Sequence, residues 1–253
     1  MKIIKNLKKF KSILTDKEFE NALNLSKAER LKSPLRTEII NFLLTLTSCN
    51  NYLEIGVRDP SNNFDKINCR NKYSVDPGLE FKSNSVYFKY TSDQFFQKMK
   101  NNELKKIDNT IKFDVIFIDG LHVSSQVEKD ITNSMQYLKE NGFIVLHDCN
   151  PPTFYHQRED YNFINSPAGI LWNGTTWKAF YKFRHHPNLN SICFDTDWGL
   201  GVLTKRKLLS FNKLTEMIDN SYYEYSIFDE KRKKHLNLVD FTFWKSKLIK
   251  TVR

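Results

Sequence analysis

Hydrophobic and polar positions change period along this chain. Ile3, Leu7, Phe10 and Leu14 recur at helical spacing, and Ile39, Ile40, Phe42, Leu43 and Leu44 form a second helical run after a break at Ser33-Pro34. From residue 52 short apolar runs take over, separated by helix-like stretches. Tyr52 to Val57 reads as a strand, Lys72 to Asp76 as a second ended by Pro77-Gly78, and Val86 to Tyr90 as a shorter third. Ser92 to Asn101 reads as a helix and Phe113 to Gly120 as a fourth strand. Val123, Val127, Ile131, Met135 and Leu138 then make one helical stripe, with Ser125 and Glu128 as a capping box at its start. Gly142 to Asp148 is a fifth strand. Residues 150–172 read as a long loop or lid, Gly174 to His186 as a helix, Asn190 to Phe194 and Gly199 to Thr204 as two more strands, and the remainder as C-terminal helices.

Strands alternating with helices predict an α/β fold: a Rossmann-like, seven-stranded, mostly parallel sheet with helices on both faces, plus N- and C-terminal helices. The divisions expected are a helical segment over 1–48, a core over 49–210 carrying the loop 150–172, and a basic helical segment over 211–253. The chain has 253 residues, of which 40% are hydrophobic and 27% charged. That usage excludes collagen-like and largely disordered classes. No apolar run is long enough to cross a membrane as a helix, and the start never builds a secretion signal, which together predict a cytoplasmic chain. Four scattered cysteines suggest neither a disulfide framework nor a cysteine zinc site.

The net charge of +10 sits at the ends. Residues 1–11 hold five lysines and no acid, and residues 231–253 hold eight Lys or Arg against Asp240, so the middle is nearly neutral. These basic ends suit a membrane face, a nucleic acid or another subunit in a homo-oligomer; the plain alternative is solvated helix faces.

In sheets of this kind ligands bind beyond the carboxyl ends of the strands, so the polar residues there carry the chemistry. They are Glu54 and Gly56, Asp76, Asp119 with His122, and His147 with Asp148. Gly56 allows a tight turn against a ligand, and an acid on the next strand, Asp76, accepts bonds from ribose hydroxyls. Arg58 and Pro60 stand where a dinucleotide site would need further glycines, so no pyrophosphate cradle is visible. Asp119 and Asp148, brought together, would repel unless a cation or a proton lay between them.

Tyr52 to Gly56 followed by Tyr73-Ser74-Val75-Asp76 resembles the first two motifs of class I S-adenosylmethionine-dependent methyltransferases. Ile118-Asp119-Gly120-Leu121-His122 with Leu146-His147-Asp148 resembles the metal-dependent O-methyltransferases that act on sugars of natural products and bacterial glycans. The resemblance implies S-adenosylmethionine as cofactor, held by Glu54, Gly56, Asp76, Ser92, Asp93 and Asp119, with the ribose on Asp76 and the adenine near Ser92 or Asp93. It implies Asp119 and His122 as catalytic residues, His122 being the base, and Mg²⁺ or another divalent cation on Asp119, His147 and Asp148. His147 departs from the acidic pair of that branch, which points to weaker binding, a softer ion or no metal.

The implied acceptor is a small molecule or glycan of anionic character, a sugar, nucleotide-linked or phosphoryl-type acceptor, in capsule or surface-polysaccharide biosynthesis. Aromatic and basic residues of 153–186 fit such a ligand: Phe154, Tyr155, His156, Tyr161, Phe163, Trp172, Trp177, Tyr181, Lys178, Lys182, Arg184, His185 and His186; the alternative for Trp177, Phe180, Tyr181 and Arg184 is a plain helix face, and for Phe180 core packing is the expectation. Asn150-Pro151-Pro152-Thr153 is similar to a signature of amino-directed nucleic-acid methyltransferases, but it follows the fifth strand and ends in Thr153, so a nucleic-acid substrate is the lesser alternative. A non-catalytic membrane or assembly partner with the same fold is another.

Overall fold

The computed structural model describes residues 17–80 and 85–252. The helix expected around Ile3 to Leu14 lies outside them. Helices α1 (Lys17–Arg30) and α2 (Arg36–Thr45) precede strands β1 (Asn51–Ile55) and β2 (Asn71–Val75). Then come α3 (Ser92–Lys100), β3 (Phe113–Ile118), α4 (Ser124–Tyr137) and β4 (Leu138–Leu146). A long connection leads to α5 (Thr176–Arg184), β5 (Asn190–Phe194) and β6 (Leu200–Thr204), and the described chain closes with α6 (Tyr225–Glu230), α7 (Arg232–Leu236), β7 (Leu238–Val239) and α8 (Phe241–Val252).

The strands form one sheet in the order β2-β1-β3-β4-β6-β5-β7. β1, β2, β3 and β4 run parallel, β6 is antiparallel to both β4 and β5, and β7 is parallel to β5. Alternation along β1 sends Leu53 and Ile55 to the face covered by α3, α4 and α5, and Tyr52 to the face covered by α2 and α8. Both faces of β3 are buried, which is why Val115 to Ile118 is an unbroken apolar run.

Two local expectations differ. The third strand shrinks to a single bridge between Phe88 and Val75, and the seventh strand of the sheet is instead β7 at the opposite edge. Tyr87, half exposed at 44%, gives this segment too little apolar surface to bury for a full edge strand. The capping box at Ser125 and Glu128 does not form. Val123 occupies the cap position of α4 without a side-chain bond, because a tertiary partner reaches the helix start: Thr175 Oγ1 accepts the Ser124 N–H at 2.8 Å, and Glu128 pairs with Lys182 at 2.5 Å. A full capping box stands at α3, between Thr91 and Gln94.

The C-terminal helix is part of the core. Trp244 of α8 is buried beside Phe194 and Phe211, with Phe42 of α2 edge-on to it at 5.9 Å. No helix among the described residues is long and apolar enough to cross a membrane.

Candidate active site

From β1 the chain moves outward to β2 and then returns to β3 on the other side of β1. That reversal opens a crevice above the carboxyl ends of β1 and β3. Gly56 sits there at φ +88°, and a Cβ on it would lie 2.3 Å from the Asp119 carbonyl oxygen and 2.4 Å from Gly120 Cα. Only glycine permits this backbone contact. The two strand tips are thereby brought together, and a cavity of about 900 Å³ opens beside them. One part of its wall carries Gly56, Asp76, Ser92 and Asp93; another carries Asp119, His122, His147 and Asp148.

In the first part, Asp76 caps its own turn by accepting the Gly78 N–H at 2.6 Å. Glu54 is buried, and its Oε2 accepts from the Tyr52 hydroxyl at 2.6 Å and from Asn63 Nδ2 at 2.9 Å. Burial pushes the Glu54 carboxyl up to about 8, although both donors pull it down. Gln126 Nε2 reaches Ser92 Oγ at 3.2 Å, Asp93 Oδ1 at 2.9 Å and Asp130 Oδ1 at 3.1 Å. Asp130 escaped the sequence reading because it falls within an ordinary helical pattern; burial raises its carboxyl to about 6.

The second part is an alternating cluster of charges. His147 is buried, with Nδ1 2.9 Å from Asp148 Oδ2 and 3.1 Å from Asp119 Oδ1, and Nε2 3.3 Å from Asp197 Oδ1. His122 lies 3.3 Å from Asp119 Oδ1 through Nε2 and 3.1 Å from Asp148 Oδ2 through Nδ1. The Nδ1 contact is an ion-pair distance without hydrogen-bond alignment. Arg36, at the start of α2, places Nη1 2.7 Å from Asp119 Oδ2 and grips Asp197 with Nε and Nη2 at 2.8 and 2.9 Å. Asn173 Nδ2 donates to Asp148 Oδ1 at 2.7 Å.

Three carboxylates thus meet one guanidinium and two imidazoles. Burial works against the charges of Arg36, Asp119, Asp197, His122 and His147, but their partners outweigh it. His147 and Arg36 hold the Asp119 carboxyl well below the usual range, and His147 with Arg36 does the same for Asp197. Asp119 and Asp148 raise His147 well above its ordinary value, and Asp148 with Asp119 raises His122.

Backbone geometry aims these groups. Asp148 adopts a left-handed conformation at φ 61°, as do Asp197, Trp198 and Gly199 in sequence at 48°, 64° and 89°. The two turns brace each other, Cys149 N–H bonding Gly199 O at 2.9 Å and Asn150 N–H bonding Trp198 O at 2.8 Å. His122 is fixed by the loop before α5. Thr175 N–H reaches the His122 carbonyl at 2.7 Å, and a Cβ on Gly174 would lie 2.0 Å from that oxygen. Trp172 stacks on the imidazole with centroids 5.0 Å apart.

All the residues expected to bind cofactor line the cavity, as do His147 and Asp148. Asp119, His122 and Asp148 are the group that could share one metal ion, each offering one atom within 4.8 Å of the others; His147 is outside that set. The acceptor expectation needs correction. Trp177 and Tyr181 are core residues, alongside Phe180 where packing was expected, because the apolar face of α5 packs on the sheet. Arg184 is buried and bonds Ser191, Asn212 and the carbonyls of Lys234 and His235, while Lys182 is paired with Glu128. His156 is buried between Ser26 Oγ at 3.0 Å and Thr153 Oγ1 at 2.8 Å. Of the aromatic residues expected, Tyr161 and Trp172 line the cavity, joined by Trp198. Asn150 of the Asn-Pro-Pro stretch is tied to Asp195 and Arg232, away from the cavity wall.

Fold and site together define an α/β protein with a histidine-carboxylate cluster on the wall of the cavity at the sheet's switch point. Residues 53–149, which span β1 to β4, match the family model described as a methyltransferase domain. No curated protein matches. Among solved structures, an O-methyltransferase of Bacillus cereus in complex with SAH is 12% identical over 79% of this chain and 97% of its own, with a TM-score of 0.44. The O-methyltransferase of Streptomyces achromogenes involved in tomaymycin synthesis, in complex with SAM, is 10% identical over 79% and 95%, with a TM-score of 0.45. An SAH-bound methyltransferase of Podospora anserina is 11% identical over 81% and 96%, with a TM-score of 0.45.

Proposed function

We propose that this chain is an S-adenosylmethionine-dependent O-methyltransferase acting on a hydroxyl of a small molecule, of sugar or glycan type. The observation that carries the reading is the Gly56 contact with Asp119 and Gly120, which makes the Asp76 side and the His122 side walls of one cavity. In this reading the ribose hydroxyls bond Asp76, and the adenine lies toward Ser92 and Asp93. The sulfonium methyl is already electrophilic, so the protein's work is alignment and proton removal. His122 takes the acceptor's hydroxyl proton as the oxygen attacks the methyl carbon; the carbon–sulfur bond breaks, and its electron pair stays on sulfur as a neutral thioether. Asp119 and Asp148 flank the imidazolium that forms, and Asn173 orients Asp148. Trp172, Tyr161 and Trp198 supply aromatic faces for the acceptor. Capsule or surface-polysaccharide synthesis is the setting we infer for a glycan acceptor.

The donor set Asp119, His122 and Asp148 suits a divalent cation, and the unbonded, buried His122 Nδ1 fits a ligand role. An imidazole in the set favours a borderline ion over Mg²⁺. Such an ion would lower the pKa of a bound hydroxyl. Arg36 already supplies positive charge to Asp119, and a His122 committed to metal through both its place and its lone pair would leave the proton to another acceptor.

Calorimetric titration with S-adenosylmethionine and then NAD tests the reading. Stoichiometric binding of the first, weakened at least tenfold by Asp76→Ala, is expected; binding of NAD alone would overturn it.

A further inference from the structure

Beside the acceptor part of the cavity, between α1 and residues 167–171, lies a groove of about 260 Å³. Its wall is apolar: Leu23 stands 53% exposed on the helix and Ile170 68% exposed on the loop, with Leu171 next to it. Lys27 and Arg30 also line it, one helical turn apart on the same side of α1. Both are exposed, and neither has a hydrogen-bond or ion-pair partner among the described residues. The neighbouring bases differ. Lys32 is paired with Glu29 and Asp195, and Arg36 with Asp119 and Asp197. The nearest acid on the helix, Glu29, is buried and spends its carboxylate on Lys32 and the Trp198 N–H. Arg30, Ile170 and Leu171 line both the groove and the main cavity, so the two spaces meet at Arg30.

We propose that this groove is the distal half of the acceptor site and takes a phosphate group carried on an apolar arm. The phosphate sits between Lys27 and Arg30, the arm lies against Leu23 and Ile170, and the hydroxyl to be methylated reaches past Arg30 toward His122. Two uncompensated cations match a group of about two negative charges better than a carboxylate with one, and the apolar wall explains why a bare anion is not the full ligand. The role as acceptor site rests on the methyl-transfer reading; the binding chemistry of the groove does not.

The test uses decyl phosphate below its micellar concentration, titrated into the full chain by calorimetry, beside inorganic phosphate, decanoate and decyl maltoside. Decyl phosphate is expected to bind one to one, at least tenfold more tightly than each of the other three, and the double variant Lys27→Gln, Arg30→Gln is expected to lose that tenfold advantage. Equal binding of inorganic phosphate, of decanoate or of decyl maltoside overturns the proposal, as does affinity that ignores the double variant. S-adenosylmethionine affinity measured on the same samples separates the two readings: intact cofactor binding with no decyl phosphate binding sinks the groove alone, and the reverse sinks methyl transfer alone.

Discussion

The two parts of the cavity are built differently. The part proposed for the cofactor comes from consecutive strand tips inside residues 53–149, where backbone sterics at Gly56 fix the geometry. The part around His122 depends on segments far away in the chain: Arg36 before the sheet, Asn173 and Trp172 from the long connection, and Asp197 from the turn between β5 and β6. The first can change little without losing its backbone contact. The second is held by side-chain charges and can be retuned one residue at a time.

That contrast can be broken experimentally, most severely at Gly56. Gly56→Val places a branched side chain into the Asp119 backbone at a positive φ, so cofactor binding should vanish and stability should fall by about 3 kcal/mol or more, read by calorimetry and thermal melting. His122→Ala should leave cofactor affinity within about threefold while turnover falls by about 10² to 10⁴. Because Asp148 and Asp119 raise the His122 pKa, a base in its neutral form requires activity to climb with pH through a value above 6.5; a flat pH–rate profile would remove His122 from that role. Arg36→Ala should cost about 3 kcal/mol, since Asp119 and Asp197 lose a shared, largely buried partner; its melting temperature should drop well below that of Asp76→Ala.

A smaller effect concerns the pH dependence of folding. Asp119 and Asp197 have folded-state pKa values below the ordinary 3.8, so their contribution is present above that value and is lost as pH falls through the depressed values. His147 has a raised value, so its contribution is complete below 6.5 and is lost as pH rises through the folded-state pKa. Melting temperatures should therefore form a plateau between about 4 and 6.5, with the alkaline decline reduced in His147→Gln to the part that the raised His122 contributes.

How legible these parts were follows the same division. Leu53 and Ile55, Val115 to Ile118 and Ile144 to Leu146 declare buried strands by composition, and order along the chain then predicts that Gly56, Asp119 and Asp148 end up near one another. Arg36 gave no such signal. It reads as an ordinary first-turn residue of an amphipathic helix, and only the fold brings it to Asp119, 83 positions away. Trp177 and Tyr181 misled in the opposite direction, because an aromatic helix face looks the same whether it meets a ligand or a sheet; their complete burial decides it, and Phe180 packs in the core as its sequence suggested. Phe88 belongs to a run with strand propensity whose edge position and exposed neighbours leave it a single bridge.

The interlocked turns at 148–150 and 197–199 have a kinetic consequence. Because the Gly199 and Trp198 carbonyls hold the Cys149 and Asn150 amides, the 148–150 turn cannot open while it stays docked on its counterpart. The amide protons of Cys149 and Asn150 should exchange with deuterated solvent together and slowly, at a pace set by separation of β4 from β6, so loops at the cavity rim would share the lifetime of the central sheet.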